Sequence, residues 1–166
     1  NGALKCRIAT GYDDLALGES VAVNGVCLTV ASLQESAADF FASAETLART
    51  NLGQIAVASK VNLERAVSLN TRLSGHMVQG HVDGKGTLLS VDEDAGAWKL
   101  KVQLPASLSR YCVEKGSITV DGISLTVSAV SAVDDPAPWL EVSVIPTTLA
   151  LTTLGVALIV IGPKLL

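Results

Sequence analysis

The stretch Ser20-Val-Ala-Val-Asn-Gly-Val-Cys-Leu-Thr-Val30 decides the fold, because it returns later as Ser117-Ile-Thr-Val-Asp-Gly-Ile-Ser-Leu-Thr-Val127. The two copies begin 97 positions apart (20 to 117). A second pair follows in the same order, 102 positions apart: Glu45-Thr-Leu-Ala-Arg-Thr-Asn-Leu-Gly53 and Thr147-Thr-Leu-Ala-Leu-Thr-Thr-Leu-Gly155. The chain therefore contains one unit twice, and a site in one copy has a counterpart in the other.

Short antiparallel strands are predicted in both copies. The stretches Lys99-Leu-Lys-Val-Gln-Leu104 and Leu140-Glu-Val-Ser-Val144 alternate apolar and polar residues with period two, which is typical of half-buried strands. Each copy also has a hairpin signal between apolar runs, Asn24-Gly25 and Asp121-Gly122. Helical pattern is limited to single turns at residues 45–49, 105–111 and 147–151. The sequence thus predicts an all-β chain with a small antiparallel barrel in each copy.

The boundary between the copies is expected near residue 73, because residues 70–75 are polar and turn-prone. This gives an N-terminal unit of residues 1–73 and a C-terminal unit of residues 74–166. The second copy opens with a Gly-rich segment, residues 75–87, that has no counterpart before Asn1. We therefore expect the opening strand of the first copy to be missing. The apolar run 154–162 is predicted to be a buried strand, since a membrane span needs roughly 20 apolar residues.

The amino-acid composition indicates which kinds of binding partner and which cellular location to expect. Charged residues make up 17% of the chain, against roughly 25% in soluble domains, so we expect apolar surface to be buried against another copy or another chain. The net charge is −4 without a basic run, which argues against nucleic acid. Three widely spaced cysteines indicate neither a disulfide framework nor a zinc cluster. Together with the lack of a signal peptide, this favours a cytoplasmic protein without membrane spans.

Cys27 and Ser124 occupy equivalent positions in the two copies, and each is followed by Leu-Thr-Val. A free cysteine is often a small buried hydrophobe, and that remains the alternative for Cys27. Nucleophile-capable groups at equivalent places instead indicate two similar pockets that differ by one atom. In each pocket a threonine, Thr29 or Thr126, is available to hydrogen-bond the edge of a ligand.

His76 and His81 lie together in the Gly-rich segment. On a regular strand their offset of five places them on opposite faces, unless a bulge at Gly80 re-aims one of them. One structural and one exposed histidine is the alternative to a functional pair. A metal site would need a third ligand, with Asp83 the nearest, and the spacing fits no usual zinc pattern. The pair is therefore interpreted as candidate proton-transfer groups.

Lys115 stands immediately before the second copy of the repeated strand, where the first copy has Gly18. Most such lysines are solvated surface charges, but the difference between the copies makes Lys115 a catalytic candidate. The nearby Gly-rich stretch 80–86 does not have the spacing of a phosphate-binding loop.

Four motifs together resemble the alpha-type riboflavin synthases, the duplicated lumazine-binding family. They are Asn24-Gly-Val-Cys-Leu-Thr-Val30, Val61-Asn-Leu-Glu-Arg-Ala66, Gly75-His-Met-Val-Gln-Gly-His-Val-Asp-Gly84 and Glu114-Lys-Gly-Ser-Ile-Thr-Val-Asp-Gly-Ile-Ser-Leu-Thr-Val127. The resemblance extends from about Leu17 to Gly155. It implies two tandem six-stranded Greek-key barrels, each binding one 6,7-dimethyl-8-ribityllumazine.

The resemblance also implies a reaction. One lumazine donates a four-carbon unit to another, giving riboflavin and 5-amino-6-(ribitylamino)uracil, without a cofactor or metal. The two substrates meet between barrels of different subunits, which implies a homotrimer, and lumazine synthase is a candidate partner. A non-catalytic lumazine- or flavin-binding antenna protein of the same fold is the alternative. The family's opening Met-Phe-Thr-Gly-Ile segment and its C-terminal helix have no counterpart in the sequence.

The resemblance assigns site residues by position. Catalytic candidates are Cys27, Ser124, His76, His81 and Lys115. The residues expected to bind the two substrates are Ser20, Cys27, Leu28, Thr29, Phe41, Ala42, Ser43, Ala44, Glu45, Thr46, Gly80, His81, Val82, Lys115, Ser124, Leu125, Thr126, Ser143, Val144, Ile145, Pro146, Thr147 and Thr148. The resemblance does not decide which group is the base and which the nucleophile.

Overall fold

The computed structural model describes residues 2–154 and 158–162, with only the backbone described at 158–160 and 162. The first copy contains strands β1 to β5, helix α1 and a 3-10 turn: β1 Leu4–Ala9, β2 Ser20–Val23, β3 Val26–Gln34, β4 Ala37–Ala42, α1 Ala44–Arg49, the turn Asn51–Gln54 and β5 Leu63–Arg65. The second copy contains the remaining elements: β6 Gly84–Asp94, β7 Ala97–Gln103, α2 Ala106–Ser109, β8 Ser117–Val120, β9 Ile123–Val130, β10 Trp139–Val144, α3 Pro146–Leu151 and β11 Leu158–Gly162.

The two copies have the same strand order. In the second copy six antiparallel strands close into a barrel in the order β10-β7-β6-β11-β8-β9. In the first copy the order is β1-β4-β3-β2-β5, which repeats β7-β10-β9-β8-β11. The predicted all-β duplicated fold is confirmed. The expectation of six strands in the first barrel is corrected, because its described part has five and is open between β1 and β5, where β6 lies in the other copy.

Each copy packs its own core from the inward-facing residues of alternating strands. In the first copy the core consists of Val21, Val23, Val26, Leu28, Val30, Ala38, Phe40, Ala42 and Leu52. In the second copy the core consists of Leu100, Val102, Leu104, Ile118, Val120, Val127, Leu140, Val142, Val144, Leu154 and Ile161. The buried Ile161 fits the predicted terminal strand, whereas residues 155–157 of that apolar run lie outside the described residues.

The two predicted hairpin turns are present, and they touch each other. Asn24 and Gly25 have φ of 49° and 77°, and Asp121 and Gly122 have φ of 48° and 84°, as a two-residue type I′ turn requires. A Cβ atom on Gly25 would lie 2.7 Å from the Gly122 nitrogen, and one on Gly122 would lie 2.8 Å from the Gly25 nitrogen. The equivalent turns therefore pack backbone to backbone where the copies meet.

Asn62 holds this junction together. Its backbone N–H donates to Asn24 Oδ1 over 2.8 Å, and its Nδ2 donates to the carbonyl oxygen of Asp121 over 3.0 Å. Its Oδ1 accepts the N–H of Thr153 over 2.8 Å. One residue of the first copy thus satisfies polar groups of both turns and of the segment after α3.

The carboxylate of Asp39 links neighbouring strands on the outer face of the first sheet. Asp39 on β4 accepts hydrogen bonds from Arg7 Nε at 2.7 Å and Nη2 at 3.1 Å, from Ser32 at 2.7 Å, and pairs with Lys5 at 3.1 Å. The Arg7 guanidinium, followed by the Ser32 hydroxyl, holds the pKa of Asp39 well below its ordinary value. The ionised carboxylate therefore ties β1, β3 and β4 together.

Residues 66–83 connect the copies without forming a strand, because β5 ends at Arg65 and β6 begins at Gly84. His76 and His81 therefore do not lie on a strand, and the geometry considered for them, a regular strand with a possible bulge at Gly80, does not apply. Gly80 has a φ of 74° but lies in irregular backbone. The predicted single helical turns are confirmed as α1, α2 and α3. In the part of the chain that the structure describes, no helix is long and apolar enough to cross a membrane.

Candidate functional site

Equivalent side chains line the outer face of the central hairpin in each copy. In the β2–β3 hairpin the cross-strand pairs are Ser20 with Thr29 and Ala22 with Cys27. In the β8–β9 hairpin the pairs are Ser117 with Thr126 and Thr119 with Ser124. We call these groups the first and the second outer-face quartet. They lie outside the barrels, because the residues between them in sequence point into the two cores.

Cys27 is exposed and is a free thiol, so the interpretation of a small buried hydrophobe is wrong. Its backbone N–H donates to the carbonyl oxygen of Gly80 over 2.9 Å. A Cβ atom at residue 80 would lie 2.6 Å from Cys27 Cβ and 2.9 Å from Cys27 N. Only glycine allows the connecting segment to approach the first quartet this closely.

Ser124 in the second quartet is bound by His76. Nδ1 of His76 lies 2.7 Å from Ser124 Oγ, and the His76 backbone N–H donates to the same oxygen over 3.3 Å. Nε2 of His76 lies 3.1 Å from the hydroxyl of the buried Thr119. Burial lowers the pKa of His76 below its ordinary value, which favours the neutral imidazole. The histidine therefore joins both hydroxyls of one cross-strand pair.

Residues 75–82 form a bridging segment over both quartets. Gly75 and His76 contact Ser124, and Gly80 contacts Cys27. His76 and Gly80 are separated by four peptide units, so their Cα atoms lie at most roughly 14 Å apart. The sequence predicted that these residues share a site but did not show that one segment touches both copies.

The other two catalytic candidates are exposed. His81 follows Gly80 at the first quartet and makes no hydrogen bond within residues 2–154 and 158–162. Lys115 precedes β8 with a φ of 63°, the left-handed region that favours glycine, and its N–H donates to Val127 O over 2.8 Å. Gly18 makes the equivalent bond to Val30 O at 3.0 Å with a φ of 82°. Lys115 thus keeps a glycine-like backbone, at a cost of about 1–2 kcal/mol, while presenting an ammonium group.

The other predicted binding residues on β3, β4 and β10 divide into an exposed and a buried group. Phe41 and Ser143 are exposed on the outer face, one residue beyond the Val30–Phe40 and Val127–Val142 pairs, and so lie beside the quartets. The α1 and α3 turns follow, with Ser43 capping α1 by accepting the Thr46 N–H over 3.1 Å. By contrast, three predicted contacts have side chains buried in the cores and reach the outer face through backbone alone: Leu28, Ala42 and Val144.

Three residues of the quartets, Ala22, Ser117 and Thr119, were missed by the sequence reasoning. The signal that would have found them is the cross-strand register of the hairpins, which places them opposite Cys27, Thr126 and Ser124, respectively. Among the described residues, no group of three or more histidine, cysteine or acidic side chains is arranged to hold a metal ion.

The family model described as "Lumazine binding domain" matches residues 3–66 and 79–159. The riboflavin synthase of Mycobacterium tuberculosis is 52% identical over 145 residues, which cover 87% of this chain and 71% of that protein. The chain belongs to the riboflavin synthase family. The family's riboflavin synthase from Actinobacillus pleuropneumoniae is 44% identical over 86% of this chain and 64% of that protein, and the one from Bacillus subtilis is 39% identical over 90% and 67%.

Solved structures of LumP have a similar fold. LumP complexed with flavin mononucleotide has a TM-score of 0.82 at 20% identity, covering 100% of this chain and 90% of that chain. LumP complexed with riboflavin has a TM-score of 0.80 at 19% identity, covering 99% and 89%. At this identity the likeness concerns the fold. The resemblance found in the sequence motifs is confirmed, and the two family-model segments fall on the two copies.

Proposed function

We propose that the chain is a riboflavin synthase that binds one 6,7-dimethyl-8-ribityllumazine at each outer-face quartet. It transfers a four-carbon unit from one lumazine to the other, and the products are riboflavin and 5-amino-6-(ribitylamino)uracil. The observation that carries the proposal is the pair of equivalent quartets joined by one bridging segment. A reaction between two molecules of one substrate needs two similar sites, and the duplication supplies one of each kind in every chain.

The ligand class is supported by the fold neighbours, since LumP has been solved with 6,7-dimethyl-8-(1'-D-ribityl) lumazine, with riboflavin and with flavin mononucleotide. We propose that the hydroxyls of Thr29 and Thr126, on the outer faces of the two hairpins, hydrogen-bond the edges of the bound rings. Beside them, the exposed ends of β4 and β10 and the turns of α1 and α3 supply the remaining proposed contacts to the ring and the ribityl chain.

The reaction needs a base for the acidic 7-methyl group of one lumazine and a nucleophile at C7 of the other. The two sites offer different groups for these tasks. The first quartet presents the exposed thiol of Cys27, with His81 beside it. The second presents Ser124 bound to a neutral His76, with Lys115 at the start of β8. We propose that this asymmetry gives two identical molecules different roles.

Both quartets face outward, and exposed apolar side chains surround them, including Phe41, Met77 and Ile145. A ring on such a face is shielded from water only when another surface covers it. This supports a homotrimer in which the first site of one subunit meets the second site of another. We also propose the division into units 1–73 and 74–166, with Gly80 near the start of the second unit in contact with the hairpin of the first.

The test is to incubate the full-length protein with 6,7-dimethyl-8-ribityllumazine and to follow riboflavin fluorescence. The proposal predicts that two lumazines disappear for each riboflavin formed. Saturable binding of lumazine without any riboflavin would refute the synthase and would leave the antenna-type binding protein.

A further inference from the structure

Two positions distinguish the second quartet from the first: Ser124 replaces Cys27, and Thr119 replaces Ala22. Thr119 is 1% exposed. Among the described residues, its hydroxyl has one polar neighbour, Nε2 of His76 at 3.1 Å. A hydroxyl carries a single hydrogen, and a buried hydrogen-bond donor without an acceptor is costly. The question is therefore which of the two atoms carries the proton between them.

The two possible arrangements differ in how many polar groups they satisfy. If Nε2 carried the proton, it would donate to Thr119, and the buried Thr119 hydrogen would have no described acceptor. If Nε2 is unprotonated, it accepts the Thr119 hydrogen, and the ring proton then lies on Nδ1. Nδ1 then donates to Ser124 Oγ at 2.7 Å, beside the His76 backbone N–H at 3.3 Å. The second arrangement leaves no buried donor unpaired.

The second arrangement also determines whether the Ser124 hydroxyl can donate or accept a further hydrogen bond. Its oxygen accepts two hydrogen bonds from His76, which use both of its lone pairs. Its own hydrogen must then point away from His76, toward the exposed side of the quartet. A neutral imidazole is required throughout, and the lowered pKa of the half-buried His76 agrees with this.

We propose that Thr119 is a positioning residue that holds His76 as the Nδ1–H tautomer and thereby makes Ser124 a fixed hydrogen-bond donor to the ligand of the second site. This inference rests on the proposed function and specifies how the second site recognises its ligand. The acceptor is a carbonyl oxygen or an unprotonated ring nitrogen of the bound lumazine. Ser124 is then a recognition group and not a base-activated nucleophile. In the first quartet Ala22 and Cys27 occupy these two positions, and neither supplies a hydroxyl.

The tautomer is measured directly by ¹⁵N NMR of the histidine rings in the full-length protein without ligand, with His76→Gln used for assignment and the exposed His81 as reference. The wild-type protein is expected to show His76 with a protonated Nδ1 and an unprotonated Nε2. Thr119→Val, which keeps the shape and removes the hydroxyl, should shift His76 away from this form, whereas Thr119→Ser should retain it. A protonated Nε2 in the wild-type protein would overturn the proposal.

Binding provides the second readout. Thr119→Val and Ser124→Ala should each weaken lumazine binding at the second site by roughly three- to tenfold, the effect of one hydrogen bond. The double variant should bind lumazine with the same affinity as the weaker-binding single variant, because both changes remove the same interaction. Thr87→Val, on the exposed surface of β6, is the matched control and should bind as the wild type does.

Additive losses in the double variant, or a loss of turnover from Ser124→Ala with unchanged lumazine affinity, would contradict the donor role. The ¹⁵N measurement needs neither substrate nor turnover. A wild-type protein that makes no riboflavin but shows the Nδ1–H tautomer would therefore refute the proposed function without refuting the role of Thr119. Should Thr119→Val fail to fold, the wild-type tautomer and Thr119→Ser still decide the question.

Discussion

Gly80→Ala tests whether close contact between the bridging segment and the first quartet is needed. The new Cβ atom would lie 2.6 Å from Cys27 Cβ, whereas ordinary contacts begin at 3.4 Å, so the segment must move by nearly 1 Å. The φ of 74° adds about 1–2 kcal/mol of backbone strain. Loss of the Cys27 N–H bond to the residue 80 carbonyl adds about 1 kcal/mol. The unfolding free energy should therefore fall by about 2–3 kcal/mol.

Turnover should fall further than stability alone explains, because a misplacement of about 1 Å at a reacting site can cost roughly a hundredfold in rate. Gly96→Ala is the matched control. Its φ of 83° imposes the same kind of strain, but no atom lies within 4 Å of the new Cβ. Urea unfolding and riboflavin formation are measured on both variants. If Gly80→Ala loses no more stability and no more turnover than Gly96→Ala, the reasoning about the bridging segment is refuted.

Three further substitutions test other parts of the account. Asn62→Ala should lower the unfolding free energy by about 2 kcal/mol, because it leaves backbone groups at the junction unpaired; an unchanged urea midpoint would contradict this. Asp39→Asn should destabilise the protein at pH 7, and the loss of unfolding free energy should shrink as the pH falls below about 4. The reason is that the Arg7-bound carboxylate has a lowered pKa, so the stability it contributes is lost on acidification. A difference in unfolding free energy that does not depend on pH would contradict this prediction. Cys27→Ser, which makes the first quartet resemble Ser124, should lower turnover more than lumazine affinity; equal losses would mean that the thiol only packs.

The architecture could be predicted because the repeated sequence pattern specifies the same strands and turns in both copies. Apolar residues at alternating positions, with Asn-Gly and Asp-Gly between them, specify a hairpin that buries one face, and the same pattern occurs twice. The first copy has five described strands, with an open edge between β1 and β5 at the position that β6 occupies in the second copy.

The geometry of residues 75–82 could not be predicted from the sequence. Histidines and glycines in this segment suggested a bulged strand, but its path is set by contacts that are distant in sequence, from Gly80 to Cys27 and from His76 to Ser124. The same limit applies to Thr119, which looks like any strand threonine until the register places it opposite Ser124. Local patterns identified the candidate residues, and tertiary contacts determined which of them meet.

The most direct measurement is a crystal structure of the full-length protein with a non-reacting analogue of 6,7-dimethyl-8-ribityllumazine. The account predicts one analogue against Cys27 and Thr29 and a second against Ser124 and Thr126, both on the outer faces of the hairpins, with the Ser124 hydroxyl donating to the second ring. An analogue bound inside a barrel would contradict the account. So would a structure in which, at a saturating concentration of analogue, only one of the two copies is occupied.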